Sequence, residues 1–341
     1  MTPTTSSIYT ECKQCPRSCK VDRTKSTGYC REPSELRLSF AGLHFGEEPL
    51  ITVFGGSGTI FITGCTLRCA FCQNYQISQN GYGTEVSSEN FTKICLDLQN
   101  AGAENINLVT GSHHIPKLAQ FIQEAKNKGV TIPFCWNSSA YETVEMLELL
   151  KGLVTIWLPD LKTLSSPLSA KLFGAPDYPE VAANAIKWMI KNNPLKIEEI
   201  PSPKNAKHAD WAEDGEPREK MTQGVIIRHL FLPGKFEETA DVLGWLKENA
   251  DKKACISLMN QYTPVPFNED AEKTKNRMKT LSAIENRLVT KQEDADIQDL
   301  IEAFDFDYLF YQELSDDTSW LPDFTRPQPF SNNLATPIWH C

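Results

Sequence analysis

From about residue 58 onward, short apolar runs rich in β-branched and aromatic residues alternate with stretches whose apolar positions recur every three to four residues. The runs Thr59–Thr63, Asn105–Thr110, Thr131–Trp136, Leu153–Leu158, Gly224–Leu232 and Ala254–Met259 predict strands. Between them, Ser88–Ala101, Pro116–Lys128, Tyr141–Lys151, Tyr178–Lys191 and Phe236–Glu248 predict helices. Runs such as VTIWL and GVIIRHLFL are apolar throughout, which suits a parallel sheet covered on both faces. Six such β–α units imply an α/β fold with a parallel sheet. Periodicity alone leaves open whether that sheet is doubly wound or a partial barrel.

The flanks read differently. Residues 1–50 are Cys-rich, with turn signals and few apolar residues, so their order would depend on a bound metal. Residues 51–312 carry the β–α pattern, and within them residues 194–220 are polar and rich in Pro and charge, which predicts a solvated surface loop. Residues 313–341 alternate Pro with aromatics and predict an extended tail packed on the main domain. No internal repeat or low-complexity segment is present.

The composition is that of an ordinary globular chain, 341 residues with 40% hydrophobic and 23% charged positions. The net charge of −10 argues against nucleic acid as a partner, since phosphate binding needs clustered cations. No apolar run approaches the roughly 20 residues that span a bilayer. The first residues lack the basic start and apolar stretch of a secretory signal, so a cytoplasmic location away from membranes is expected. The 11 cysteines then need an explanation, because cytosolic thiols are kept reduced. Cys12, Cys15, Cys19 and Cys30 form one group and Cys65, Cys69 and Cys72 another, while Cys95, Cys135, Cys255 and Cys341 are scattered. Grouped thiols in a reducing compartment read as metal ligands.

The second group lies in TIFITGCTLRCAFCQNY, where a strand runs into Gly64 and then into Cys-x3-Cys-x2-Cys. Zinc sites usually take four ligands, often as two pairs, and no second pair follows. A cubane iron–sulfur cluster needs an outer ligand on each of four irons. Three thiolates would hold three and leave the fourth open, the mark of a catalytic rather than a structural site. The end of a parallel strand is also where ligand sites gather. With Phe71 before the last Cys, the segment resembles the signature of the radical S-adenosylmethionine (SAM) superfamily. That resemblance implies a [4Fe–4S] cluster on Cys65, Cys69 and Cys72 whose open iron binds the amino and carboxylate groups of SAM. Electron transfer into the sulfonium would then yield a 5′-deoxyadenosyl radical.

The likeness extends further. The segment His44–Ser78, the stretch from Cys12 to Cys30, and the motifs LVTGSHH, CWNSSAYE, LPDLK, IIRHLFLPG and LMNQYTP are similar to the pyruvate formate-lyase activating enzyme-like proteins, relative to which the loop before Met221 is an insertion. This implies a partial (β/α)6 TIM-like barrel with an N-terminal Cys-rich extension and SAM across its top. By the same resemblance, Thr110, Gly111 and Ser112 would meet the SAM amino group through backbone carbonyls. Asn137 and Ser139 would meet the ribose hydroxyls. Asp160 would help hold a monovalent cation, and Lys162 would meet the SAM carboxylate. Arg228, on an otherwise apolar strand, would contact SAM. Charge logic supports Lys162, and an inward Arg228 requires a partner. The alternative for Asp160, Lys162 and Arg228 is a structural ion-pair network. His113 and His114 read as strand-end polar residues. Tyr262 could relay an electron or hydrogen atom, or be a packed Tyr with a satisfied hydroxyl.

Cys12, Cys15, Cys19 and Cys30 supply four thiolates, enough for a closed zinc site or a second iron–sulfur cluster, and spacing does not separate the two. The leading expectation is an enzyme that generates the 5′-deoxyadenosyl radical and abstracts hydrogen from a substrate, with a glycyl-radical-enzyme activase favoured by the resemblance. A radical SAM enzyme acting on a peptide or small metabolite is the runner-up. An electron-transfer or iron-sensing protein is the alternative of another class, and a zinc-stabilised binding module would leave the residues around Lys162 unexplained. A reducing donor such as flavodoxin or ferredoxin and a protein, peptide or small-molecule substrate are the expected partners.

Overall fold

The computed structural model describes residues 5–202, 216–318, 320–331 and 334–341, with side chains from residue 8 onward. One sheet organises them. Its strands are β1 (Arg37–His44), β2 (Ser57–Ile62), β3 (Thr84–Glu85), β4 (Ile106–Val109), β5 (Phe134–Ser138), β6 (Ile156–Pro159), β7 (Lys196–Ile200), β8 (Arg218–Leu230), β9 (Cys255–Met259), β10 (Leu309–Gln312) and β11 (Ala335–His340). They follow the order β10-β9-β8-β6-β5-β4-β2-β1-β11, with β3 beside β1 and β7 beside β8. From β2 to β10 all neighbours run parallel. The ends β10 and β11 do not pair, so the sheet is a partial TIM-like barrel rather than a closed one. Among the described residues no helix is long and apolar enough to cross a membrane.

Local chemistry explains the elements. β2 and β5 are buried at every position, as strands covered on both faces must be. Several helices begin where a side chain satisfies free backbone N–H groups. Ser87 accepts from Asn90 ahead of Ser88–Asn100, and Thr290 with Glu293 forms a capping box ahead of Lys291–Phe304. The expected helix Tyr141–Lys151 is shorter, Val144–Leu147 followed by a single 3-10 turn.

Several sequence expectations are corrected. Residues 37–44, read as part of the metal-dependent segment, are β1, which pairs antiparallel with β2 and β11. RLSFAGLH mixes small and polar residues yet is almost wholly buried, so no alternation marked it. Of the expected loop 194–220, β7 and the start of β8 form an antiparallel pair, and residues 203–215 lie outside the described residues. Charged residues on the exposed face of KIEEI hid its alternation. A seventh parallel strand, β10, is too short at four residues to show a period. The tail contributes more than a surface wrap. Residues 335–340 are β11, and Phe324 and Phe330 pack 5.1 and 5.4 Å from Phe61 on β2.

The barrel interior is filled from its N-terminal end. Leu50 and Ile51, from the loop between β1 and β2, join Cys135, Ile156, Leu158, Met221, Ile226 and Cys255 in one buried cluster. Val53 and Phe54 N–H groups donate to Glu104 at 2.6 and 3.2 Å, and Met221 N–H donates to the Leu50 carbonyl, so this floor is anchored by hydrogen bonds as well as by packing.

Candidate active site

The strand β2 delivers Thr63 and Gly64 to the cysteine loop, and both are gripped from behind. The Thr63 hydroxyl donates to Glu32 at 2.9 Å, and its carbonyl meets His113 Nε2 at 2.7 Å. Gly64 has φ +78, and a Cβ there would stand 2.2 Å from Glu32. Only glycine fits both the turn and the close approach. Within the loop, Cys72 N–H donates to the Cys69 carbonyl, Gln79 Nε2 donates to the same carbonyl, and Ser78 Oγ lies 3.3 Å from Cys72 Sγ. Burial, together with the nearby thiols of Cys65 and its neighbours, pushes the Cys69 and Cys72 thiols up, whereas Lys162 pulls both down. Cys65, Cys69 and Cys72 thus share one electrostatic environment, and that environment includes Lys162. Phe71 packs edge-on against Phe173 and Tyr262, each 6.0 Å away.

Lys162 opens a charged chain at the C-terminal ends of β6 and β8. Its Nζ donates to Asp160 at 2.7 Å, Arg228 Nε donates to the other Asp160 oxygen at 2.9 Å, and Arg228 Nη2 donates to Asn137 Oδ1 at 2.6 Å. Below Arg228 lie two carboxylates that sequence reasoning missed. Glu47 Oε2 is 3.7 Å from Nη1 and Glu48 Oε1 is 3.8 Å from Nε. Three carboxylates therefore face two cations. Burial would raise Asp160, but Arg228 and Lys162 hold it below the ordinary carboxylate range. Glu48, buried and farther from Arg228, is pushed up to about 7. A Glu pair in a loop has no sequence mark that separates it from a solvated turn. The inward Arg228 was the signal that such partners had to exist.

Other expected residues divide. Asn137 and Ser139 are both buried, and Ser139 Oγ has no hydrogen-bond partner. Ser112 is wholly buried, and its hydroxyl donates to Glu142, which also accepts from Trp136 Nε1 at 3.3 Å and keeps its second oxygen unpartnered. The Gly111 carbonyl accepts from His114 N–H at 2.8 Å. Thr110 lies beside them at the end of β4. His114 bridges Arg23 Nη2 and the Tyr9 hydroxyl, so the histidines tie the N-terminal segment to β4, in keeping with strand-end polar residues. The Tyr262 hydroxyl donates to Asn286 at 2.6 Å, which is the packed reading of that residue. A methyl at Gly111 would stand 2.4 Å from Leu118 and 2.7 Å from Trp136. Gly111→Ala is expected to lower stability by about 1–3 kcal/mol, read as a fall in the urea midpoint. An unchanged midpoint would show that Leu118 can move aside.

His229 follows Arg228 and is fixed neutral. One ring nitrogen meets the Leu161 carbonyl at 2.7 Å and the other meets Thr239 Oγ1 at 2.9 Å. Burial lowers its pKa from 6.5 to about 4, only partly offset by the Leu161 carbonyl. The folded state thus resists a proton that the unfolded state accepts. Its stability contribution is complete above pH 6.5 and is lost as pH falls toward 4. Urea titrations at pH 7 and pH 5 should show His229→Gln losing about 2 kcal/mol less than the parent over that interval. Equal losses would remove His229 as a source of acid sensitivity.

The first cysteine group lies in one hydrogen-bonded stretch whose thiols act on one another electrostatically. Cys12 N–H donates to Val21, Lys20 N–H to the Cys12 carbonyl, and Ser18 N–H to the Cys15 carbonyl. Tyr29 N–H donates to Cys19 Sγ at 3.4 Å, and Arg23 Nη1 lies 3.9 Å from Cys12 Sγ. Burial pushes Cys15 up to about 12, and Cys30, Cys12 and Cys19 add to the shift. Among the described residues, no three His, Cys, Asp or Glu side chains are gathered tightly enough to ligate one metal ion. A cube places less stringent demands, since each thiolate binds its own iron at a separate corner. Arg17 binds the segment to the body through the Thr66 and Phe173 carbonyls, at 2.9 and 2.8 Å.

Comparison with known proteins matches residues 59–197 to the model of the Radical SAM superfamily. An uncharacterized protein of Methanocaldococcus jannaschii, MJ0674, is 29% identical over 265 residues, 75% of this chain and 67% of that protein. Among solved structures, Streptococcus suis SuiB bound to the precursor peptide SuiA is similar at 14% identity and a TM-score of 0.46, covering 73% of this chain. The chain spans 46% of the SuiB chain, under half of its length. A domain of pyruvate-formate lyase-activating enzyme from Bacteroides vulgatus is similar at 10% identity and a TM-score of 0.35, covering 59% of this chain and 92% of that domain.

Proposed function

We propose that this chain, with its radical SAM match at residues 59–197, is an enzyme that cleaves SAM reductively at a [4Fe–4S] cluster held by Cys65, Cys69 and Cys72. The match to the Radical SAM superfamily implies the cluster and SAM. The residues present fit both. The loop offers three mutually coupled thiols, and Ser139 Oγ and a Glu142 oxygen are buried polar atoms left without partners beside the strand ends. When bound, the cluster supplies one electron to the SAM sulfonium, and the resulting 5′-deoxyadenosyl radical takes hydrogen from a substrate.

The observation that carries this reading is the convergence of Lys162 on both Cys69 and Asp160. It puts a half-buried cation between the cysteine loop and the charged floor. In that position the Lys162 ammonium would bind a SAM carboxylate. Arg228, held by Asp160 and Asn137, would orient the ligand, while Ser139 and Asn137 would take ribose hydroxyls. Thr110, Gly111 and Ser112 would contribute through their backbone, since the Ser112 hydroxyl is occupied by Glu142. Asp160, already bound by two cations, has less need of a monovalent cation than an unpaired carboxylate would. Cys12, Cys15, Cys19 and Cys30 would hold a second metal site, zinc or iron–sulfur. The hydrogen donor would be a glycyl-radical enzyme or, as the second reading, a peptide or small metabolite.

Anaerobic reconstitution with iron and sulfide, reduction by dithionite and addition of SAM should give 5′-deoxyadenosine. Cys65→Ala should drop the yield to that of SAM and dithionite alone. Production that persists undiminished in Cys65→Ala would defeat the assignment.

A further inference from the structure

Outside the site just described, the described residues form a cleft of about 350 Å³ against the outer side of the cysteine loop. Arg68 and Ala70, both inside the Cys65–Cys72 loop, make part of its wall. Arg31 comes from the Cys-rich segment, Lys171 from the helix Ser166–Phe173, and Lys273 and Arg277 from the helix Ala271–Leu281. Five cations thus converge on a chain whose net charge is −10. The one carboxylate in the lining, Glu269, is consumed by Arg277 in a two-pronged pair at 2.6 and 2.9 Å. Arg277 also donates to the Ala70 carbonyl at 3.0 Å and so clamps the cysteine loop. Arg68 has no such partner. Its guanidinium leans over the Tyr29 ring at 5.6 Å, and its Nε is buried without a hydrogen bond.

We infer that this cleft is the docking site for an acidic one-electron donor protein. The inference rests on the proposed cluster, because only then does the loop need electrons. Arg68 and Ala70 of the loop line the cleft, whereas Lys162, Asp160, Asn137 and Arg228 do not, so a donor seated there would leave the proposed SAM side free. The cleft is the outer concavity that includes loop backbone. Arg31, Lys171 and Lys273 are solvent-exposed and come from three separate elements around its rim. That spread suits carboxylates dispersed on a protein surface better than the close oxygens of one phosphate. A local positive field on an otherwise acidic protein would also steer an acidic partner to this face and repel it elsewhere. One electron leaves the reduced donor and enters the oxidised cluster, with no proton or group transferred.

Flavodoxin serves as the probe in two measurements on the full chain. Binding is measured by calorimetry, and 5′-deoxyadenosine yield is compared with reduced flavodoxin and with dithionite as reductant. Lys171→Glu combined with Lys273→Glu should weaken flavodoxin binding by about tenfold or more, and raising salt should weaken the parent in the same direction. Dithionite-driven product should stay at the parent level, and the Arg replacements at both positions should restore binding. Equal flavodoxin affinity for parent and Glu variant would overturn the inference. So would micromolar binding of inorganic pyrophosphate in the absence of any flavodoxin binding, which would make the cleft a small-anion site. If the Glu pair does not fold, Lys171→Gln with Lys273→Gln carries the same comparison. Absence of dithionite-driven product in the parent would sink the proposed function instead, leaving the binding result separate.

Discussion

Asp160→Ala is expected to lower the unfolding free energy by about 2–4 kcal/mol at neutral pH, because it strands the half-buried charges of Arg228 and Lys162. Asp160 is the one acid that touches both cations at hydrogen-bond distance, 2.9 and 2.7 Å. Glu47 and Glu48 stand off at 3.7 and 3.8 Å and compensate only in part. The sign of the pH dependence follows from its lowered pKa. The native carboxylate is worth most above its ordinary 3.8, and the benefit fades as acid protonates it. Parent and variant should therefore converge in urea titrations as pH drops toward 3. Arg228→Leu should narrow its gap in the same direction, but through a gain in the variant. With the cation gone, Glu47, Glu48 and Asp160 crowd a dry floor, and that variant should recover stability relative to the parent as pH is lowered. A parent–variant gap for Asp160→Ala below about 1 kcal/mol at pH 7 would mean that the charges are solvated.

The second large effect concerns the N-terminal cysteines. Cys15→Ser together with Cys30→Ser is expected to eliminate the second metal site proposed above and loosen the segment around it. Metal-coupled folding of small Cys-rich units is worth on the order of 10 kcal/mol. Among the described residues the segment is otherwise held by hydrogen bonds between Tyr9, Arg17, Arg23, Tyr29, Arg31 and Glu32 and the body, which would keep part of it in place. Metal analysis should show the second site's content lost while iron at the Cys65–Cys72 site is retained, and limited proteolysis should cut the N-terminal segment first. The element lost distinguishes zinc from iron–sulfur. Unchanged metal content with unchanged protease resistance would remove these thiols from the ligand set.

Local signals were the legible ones. Cys-x3-Cys-x2-Cys after a strand needs no tertiary knowledge, since its meaning lies in eight consecutive residues. The six apolar strands were found within a few residues because burial on both faces leaves continuous apolar runs. The cationic side of the floor was legible as an anomaly, Arg228 within IIRHLFL. Its carboxylates were not, because GEEP reads as a surface turn until β1 is known to precede it. β1 and β11 escaped for a related reason. Both sit at the antiparallel end of the sheet, and ATPIWH is half exposed and contains Pro337, which suits an edge strand but blurs its period. The basic cleft was invisible by nature, since Arg31, Arg68, Lys171 and Lys273 are far apart along the chain and its overall charge points the other way.

Leu50 and Ile51 stopper the N-terminal end of the barrel interior. With that end shut, a ligand above the strands' carboxyl ends would arrive over the rim or through the flank that the unpaired edges leave open. A bulky one need not be threaded end-on.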